Sequence, residues 1–148
     1  MIREINENDL CGLLKLYMYL HDNPFPELDC RIQGVWESII NDKNHHIIVA
    51  EEDGMIVSTC VCLIIPNLTR GQRPFALVEN VVTHPDFRGK GLATACLNFA
   101  KDIALSENCT RLMLMTGSKE KSTLDMYEKA GYDPNDKKGF VQWLIDIH

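Results

Sequence analysis

Apolar residues recur along this chain with two periods, and the switches between them outline its elements. Residues 1–5 fit a short opening strand. From residue 10 to about residue 20, Leu13, Leu16, Tyr17 and Leu20 share one side of a helix, with Asn8 or Asp9 placed to cap it. Pro24 and Pro26 mark a loop over 21–28. A second helix is predicted over 31–41, with Ile32, Val35, Trp36, Ile39 and Ile40 turned inward. Residues 46–51 and 55–65 are β-rich, joined by a turn at Glu52, Asp53 and Gly54. A polar loop over 66–74 carries Arg70 and Arg73, and a strand over 75–83 follows it. Then come a loop over 84–90 and a helix over 91–105.

The rest of the chain continues the alternation. Residues 111–115 form an apolar run of the kind buried on both faces of a sheet. Ser122 fits an N-cap with Asp125 as its capping-box partner, and Gly131 suits the left-handed position after that helix, which ends at Ala130. Val141, Trp143, Ile145 and Ile147 alternate over 140–147 and predict a closing strand. The order is β-αα-β-β-β-α-β-α-β, which points to a mixed α+β or α/β sheet and not to a doubly wound one.

Length and charge narrow the classes. The 148 residues are expected to form one domain, 1–148. With 45% hydrophobic and 24% charged residues the composition is globular and excludes disorder. A formal net charge of −6 excludes a generally basic nucleic-acid binder. That charge is uneven. Residues 1–60 hold 4 basic and 11 acidic groups, whereas 61–148 hold 11 basic and 10 acidic ones. An anionic ligand is therefore better placed in the second part and a cationic one in the first.

Six cysteines, at 11, 30, 60, 62, 96 and 109, include no Cys-x-x-Cys pair, and no His stands beside them at zinc-ligand spacing. They read as buried reduced thiols, with Cys60 and Cys62 on one face of a strand, and no metal is expected. No stretch approaches the ~20 apolar residues that a membrane span requires, and the first residues lack a signal-peptide apolar region. A soluble, cytoplasmic protein is the expectation.

The chemistry concentrates between Val78 and Thr94. A strand runs into a glycine-containing loop, and that loop opens a helix whose Leu92, Cys96, Phe99 and Ile103 recur at helical spacing. The first turn of such a helix has unpaired N–H groups and the positive end of the dipole. Gly89 and Gly91 clear side chains from the approach, and Arg88 and Lys90 add positive charge. Together they can form a phosphate cradle. The Walker pattern is absent, because no Gly-Lys-Ser/Thr follows at the required spacing. The dinucleotide fingerprint also fails, with Thr94 where its third glycine belongs. On the glycines alone, a tight strand-to-helix turn stays open as an alternative.

Two motifs carry a resemblance. Arg88-x-x-Gly91-x-Ala93, after a β-rich strand and His84-Pro85, resembles the acyl-CoA signature Gln/Arg-x-x-Gly-x-Gly/Ala of the GCN5-related N-acetyltransferase (GNAT) superfamily. Leu124-Asp125-Met126-Tyr127-Glu128-Lys129-Ala130-Gly131-Tyr132 resembles that family's late helix. The resemblance covers essentially the whole chain and is strongest over 75–132. It implies an α+β fold: a twisted mixed sheet of six to seven strands and about four helices, with the fourth and fifth strands splayed apart. It also implies that acetyl-CoA lies in that gap as acyl donor. Its pantetheine arm would pair with the backbone of Val81, Val82 and Thr83. Its pyrophosphate would rest on Arg88, Gly89, Lys90, Gly91, Leu92, Ala93 and Thr94.

The implied reaction is attack of an amine on the acetyl thioester. An alkyl ammonium with a pKa of ~10.4 must first lose a proton. Glu79, just before the splay point, is the candidate general base through water, and His84 is its rival. Glu79 reads equally as a solvated strand residue or as an ion-pair partner of Arg70 or Arg73. The resemblance offers Tyr127 as general acid to the departing thiolate, against a plain packing role beside Leu124 and Ala130. It offers a backbone N–H near Val81 to the oxyanion. The sequence departs from the family over 116–122, where the Asn usual before the late helix is missing. Ser118 or Ser122 stand as substitutes, with Lys119 and Lys121 facing an adenosine phosphate.

The acceptor is expected to be a small-molecule primary amine. In the amino-sugar-phosphate alternative, Arg70 and Arg73 meet the phosphate. A non-catalytic acyl-CoA sensor and a protein N-acetyltransferase are further alternatives. The resemblance is compatible with a homodimer, and no nucleic-acid or membrane partner is expected.

Overall fold

The computed structural model describes residues 1–21 and 23–147. Asp22, within the predicted 21–28 loop, and His148 lie outside the described residues. The elements are β1 (Ile2–Glu4), α1 (Leu10–Tyr17), α2 (Cys30–Ile40), β2 (His45–Glu52), β3 (Met55–Ile65), β4 (Phe75–Thr83), α3 (Leu92–Ser106), β5 (Leu112–Leu114) and α4 (Lys121–Lys129). They follow the predicted order up to α4. By contact they fall into two compact units, 1–114 and 115–148.

In the first unit the sheet runs β1-β2-β3-β4-β5. Its neighbours are antiparallel except β4 and β5, which are parallel. Side chains alternate across a strand, so β3 serves two layers. Val61 joins Leu13, Leu16 and Trp36 of α1 and α2 in one buried cluster, with Ile47 and Val49 from β2. Cys60 and Cys62 point the other way, their thiols meeting the carbonyls of Cys96 and Ala100 on α3 at 3.5 and 3.9 Å. With helices on both faces, β3 becomes almost continuously buried and β2 is buried over its middle four residues.

Several expectations need correction. Among the described residues the sheet has five strands, not six or seven. Residues 140–147 form no strand, and Leu144 and Ile145 stand 91% and 70% exposed. Alternation makes a segment compatible with a strand, but a strand exists only where a ladder partner takes its backbone groups. β5 is half-buried rather than covered on both faces. Cys11 and Cys30 are exposed; the other four thiols are buried. In α2 only Trp36 is buried, and Val35 and Ile40 face outward.

Caps also differ. Asp29 caps α2 by accepting from the Ile32 amide at 3.1 Å, and the helix starts at Cys30, one residue ahead of the predicted start. α1 stops at Tyr17, because Tyr19 and Leu20 bond to carbonyls three residues back and tighten the chain into turns. In the second unit α4 starts at Lys121 with Glu120 as N-cap, so Ser122 lies inside its first turn. Asp125 pairs with Lys121 at 2.6 Å in an i,i+4 contact instead of closing a capping box. Gly131 has the expected positive φ of 102°.

Asp9 stands at the N-cap of α1, yet its carboxylate is spent elsewhere. It accepts from Arg3 at 2.7 and 3.0 Å and from the Asn6 amide at 2.7 Å. The Arg3 hydrogen bond holds the Asp9 carboxyl below its ordinary value. A carboxylate with a lowered folded-state pKa stabilises fully above its unfolded value of ~4 and loses that contribution as pH falls through the folded one. Asp9→Ala is expected to cost about 2 kcal/mol at neutral pH. In denaturant titrations the gap to the parent protein should narrow below pH ~4; a gap that stays constant with pH would mean the Arg3 pair is not its source.

Candidate active site

The site begins where β5 stops. The parallel register runs Ala76 to Leu112, Leu77 to Met113 and Val78 to Leu114. β4 continues for five more residues, 79–83, which among the described residues pair only with β3. The edge of β4 facing β5 is thus left with unspent backbone groups.

The same stretch carries a bulge. Pairing with β3 steps from Thr59–Val82 to Val61–Glu79, so Asn80 and Val81 together oppose Cys60. Asn80 takes a left-handed φ of 51°. Past the bulge the strand end is pinned from β3. The buried Ser58 hydroxyl lies 2.8 Å from Thr83 Oγ1 and donates to the Val82 carbonyl at 3.4 Å, and the His84 amide donates to Val57 O at 2.8 Å.

The loop after β4 is tied down at each step. His84 Nδ1 accepts from the Asp86 amide at 3.1 Å, starting a single turn at Pro85–Phe87. Arg88 Nε reaches back to the Thr83 carbonyl at 3.1 Å, and Lys90 Nζ sits 4.8 Å over the Phe87 ring. Gly89 and Gly91 have φ of 74° and 77°, and no atom lies within 4 Å of where a Cβ would stand on either. The loop therefore presents bare backbone to open space. α3 begins at Leu92, and its first amides have no carbonyl of their own to meet. Bare backbone, free amides, a helix dipole and two nearby cations suit a diphosphate.

The other predicted residues divide clearly. Glu79, half-buried, shares the β4 stretch with Val81, Val82 and Thr83. Tyr127 lies on α4 in the second unit, its ring edge-on to Tyr132 at 6.4 Å. Arg73 donates to the carbonyls of Asn108 and Cys109 at 3.1 and 3.4 Å, clamping the chain that enters β5. Arg70, in the same loop, is exposed with φ of 50°. Ser118 accepts from the Glu120 amide at 3.3 Å in a local turn. Burial pushes the Cys62 and Cys96 thiols up to about 12 and about 11, and Cys60 higher, so none is a thiolate nucleophile at neutral pH. Sequence reasoning missed Asn80 and Ser58. A polar residue inside Val78-Glu79-Asn80-Val81-Val82 was a usable signal for the bulge; Ser58 gave none.

Comparison with known proteins agrees with this geometry. The model of the Acetyltransferase (GNAT) family matches residues 9–132. A glucosamine 6-phosphate N-acetyltransferase of Trypanosoma brucei brucei is 30% identical over 143 residues, covering 93% of this chain and 91% of that protein. A structure from Agrobacterium tumefaciens str. C58, provisionally named an acetyltransferase, superimposes with a TM-score of 0.87 at 35% identity, covering 97% of this chain and 99% of that one. The glucosamine-6-phosphate N-acetyltransferase of Arabidopsis thaliana shares the fold with a TM-score of 0.85 at 24% identity, covering 98% of each chain. This chain belongs to the GNAT acetyltransferase family, a family of acyltransferases whose acyl donor is acetyl-CoA, and the sheet left open between β4 and β5 with a glycine loop at its mouth accords with that class. No described helix is long and apolar enough to cross a membrane.

The loop gives a direct test. Gly91→Ala adds about 1–2 kcal/mol of left-handed strain and a methyl group on the open side. Acetyl-CoA affinity by calorimetric titration is expected to fall about tenfold or more, with Tm lowered by only ~2–8 °C. Unchanged affinity would remove the loop from the binding surface.

Proposed function

We propose that this chain moves the acetyl group of acetyl-CoA to a primary amine of a small molecule by direct attack. The observation that carries this reading is β4 outrunning β5, with Glu79 at the start of the unpaired stretch and the glycine loop at its end. Val81, Val82 and Thr83 offer backbone groups to the pantetheine arm. Residues 88–94 take the pyrophosphate.

Glu79, through water, takes a proton from the ammonium. The amine nitrogen then forms a bond to the thioester carbon while the Val81 amide faces the oxygen that gains charge. The carbon–sulfur bond breaks, the Tyr127 hydroxyl gives the leaving sulfur its proton, and the second proton that the attacking nitrogen sheds as it becomes an amide returns through solvent to the Tyr127 oxygen. His84 suits the base role less well. Its Nδ1 lone pair is taken by the Asp86 amide, so a neutral ring carries its proton on Nε2 and has no acceptor left.

A second reading, a phosphorylated amino sugar as acceptor, is favoured by the similarity to the trypanosomal glucosamine 6-phosphate enzyme. With Arg73 bonded to two carbonyls, Arg70 is the arginine of that loop left for a phosphate.

Thiol release from acetyl-CoA over amines, amino sugars, aminoglycosides and peptides tests the whole reading; binding without turnover on any class would sink it. Tyr127→Phe is expected to lower kcat by about 10²-fold with acetyl-CoA affinity retained. Glu79→Gln should flatten the limb of the pH–rate profile that climbs with pH, and an unaltered profile would return the base role to water. Arg70→Ala should reduce kcat/KM for glucosamine 6-phosphate but not for glucosamine. Equal losses on both would rule out the phosphate contact.

A further inference from the structure

A cleft on the α1 side of the sheet has no part in the reaction above. It measures about 730 Å³, inside the roughly 300–1,000 Å³ range of small-molecule sites. All the residues on its wall belong to the first unit, and neither Glu79 nor the glycines at 89 and 91 are among them. The floor is apolar. Leu16 and Ile56 reach it from the buried cluster, and Met55, 44% exposed, extends it to the rim. Gly12 lets α1 lie close above that floor: a Cβ there would stand 3.2 Å from Ile56 Cδ1.

The free polar groups of the cleft are donors. Asp9 and Glu51 also line it, but Arg3 holds both carboxylates, at 2.7 and 3.3 Å. Lys15, exposed in the last turn of α1, has no acidic partner within 4.0 Å among the described residues. His84 is on the same wall, its ring edge-on to Tyr19 at 4.9 Å. Its Nδ1 accepts from the Asp86 amide, so the ring carries a proton on Nε2 whether neutral or charged. An ammonium and an imidazole N–H beside an apolar floor suit an anionic head on an apolar body. Two donors match the two oxygens of a carboxylate.

We propose that this cleft is a second ligand site, for a small amphipathic monocarboxylate whose head meets Lys15 and His84 and whose hydrocarbon chain lies on Leu16, Met55 and Ile56. It is distinct from the open edge of β4 and requires no turnover there. His84 links it to the turn that leads into the glycine loop, so occupancy is felt at the Asp86 amide.

Octanoate is the probe, titrated into the full chain by calorimetry and followed by amide NMR. Binding at one site with a Kd below ~1 mM is expected, with shifts at the Gly12, Gly54 and Asp86 amides. Methyl octanoate keeps the chain without the charge and should bind about tenfold more weakly, or worse. Lys15→Glu and Met55→Glu should each weaken octanoate by about tenfold or more, while Lys43→Glu, outside the cleft, should not. Lys15 also suits the C-terminal end of the helix dipole, so Lys15→Glu lowers Tm slightly. Met55→Glu, at the exposed start of β3, probes the same site free of that effect. Saturating acetyl-CoA should leave the octanoate affinity nearly unchanged. Displacement by acetyl-CoA would put octanoate at the open edge of β4, and equal affinity in both cleft variants would mean non-specific association. Either result, or no binding at all, overturns the proposal, and none of them bears on acetyl transfer.

Discussion

Between the pairs Thr59–Val82 and Val61–Glu79, β3 advances two residues while β4 advances three. Because side chains alternate across a strand, one extra residue exchanges the faces beyond it. Before the bulge, Val78 pairs with Cys62 on the α3 side and Glu79 with Val61 on the α1 side. After it, Val82 packs into the α1 cluster and Thr83 meets Ser58 on the other side. Without the extra residue, Val82 and Thr83 would trade places. An apolar side chain would leave the cluster beneath α1, and the hydroxyl that pins the strand end would turn away from Ser58. The bulge thus lets one strand keep Glu79 half-open at the edge and still close the core two turns of the pleat later.

Much of this was legible in the residues. The order of elements up to α4 followed from apolar periodicity, and the glycine loop from residue types that only a left-handed backbone and a close approach require. What escaped the sequence was competition among partners. Asp9 is a good cap by type, yet a guanidinium offers its carboxylate two charge-assisted bonds and wins. Asp125 could have closed a capping box, but Lys121 lies one turn away on the same face. The tail over 140–147 has a strand's alternation but, among the described residues, no partner strand. The bulge was hidden for the same reason: an extra residue is defined only against the strand opposite.

The uneven charge also acquires a structure. Two of the acidic groups in the first 60 residues, Asp9 and Glu51, are held by Arg3, at 2.7 and 3.3 Å. They tie β1, the entry of α1 and the end of β2 together, and that part of the acidity serves the fold. In the second part Arg73 does similar work on carbonyls. Arg88 also donates to a carbonyl, that of Thr83, but it and Lys90 flank a loop with open space before it.

That loop has its shape before any ligand arrives. His84, the Arg88 side chain and the Lys90–Phe87 contact hold its course, and both glycines already stand in the left-handed region. On the proposed binding mode, little ordering would be left to be done on association, so the encounter rate would be governed by diffusion and by attraction between the cations and an incoming polyanion. Ionic strength would then act mainly on how often that ligand is captured, and the lifetime of the complex would reflect how well the bare amides fit it.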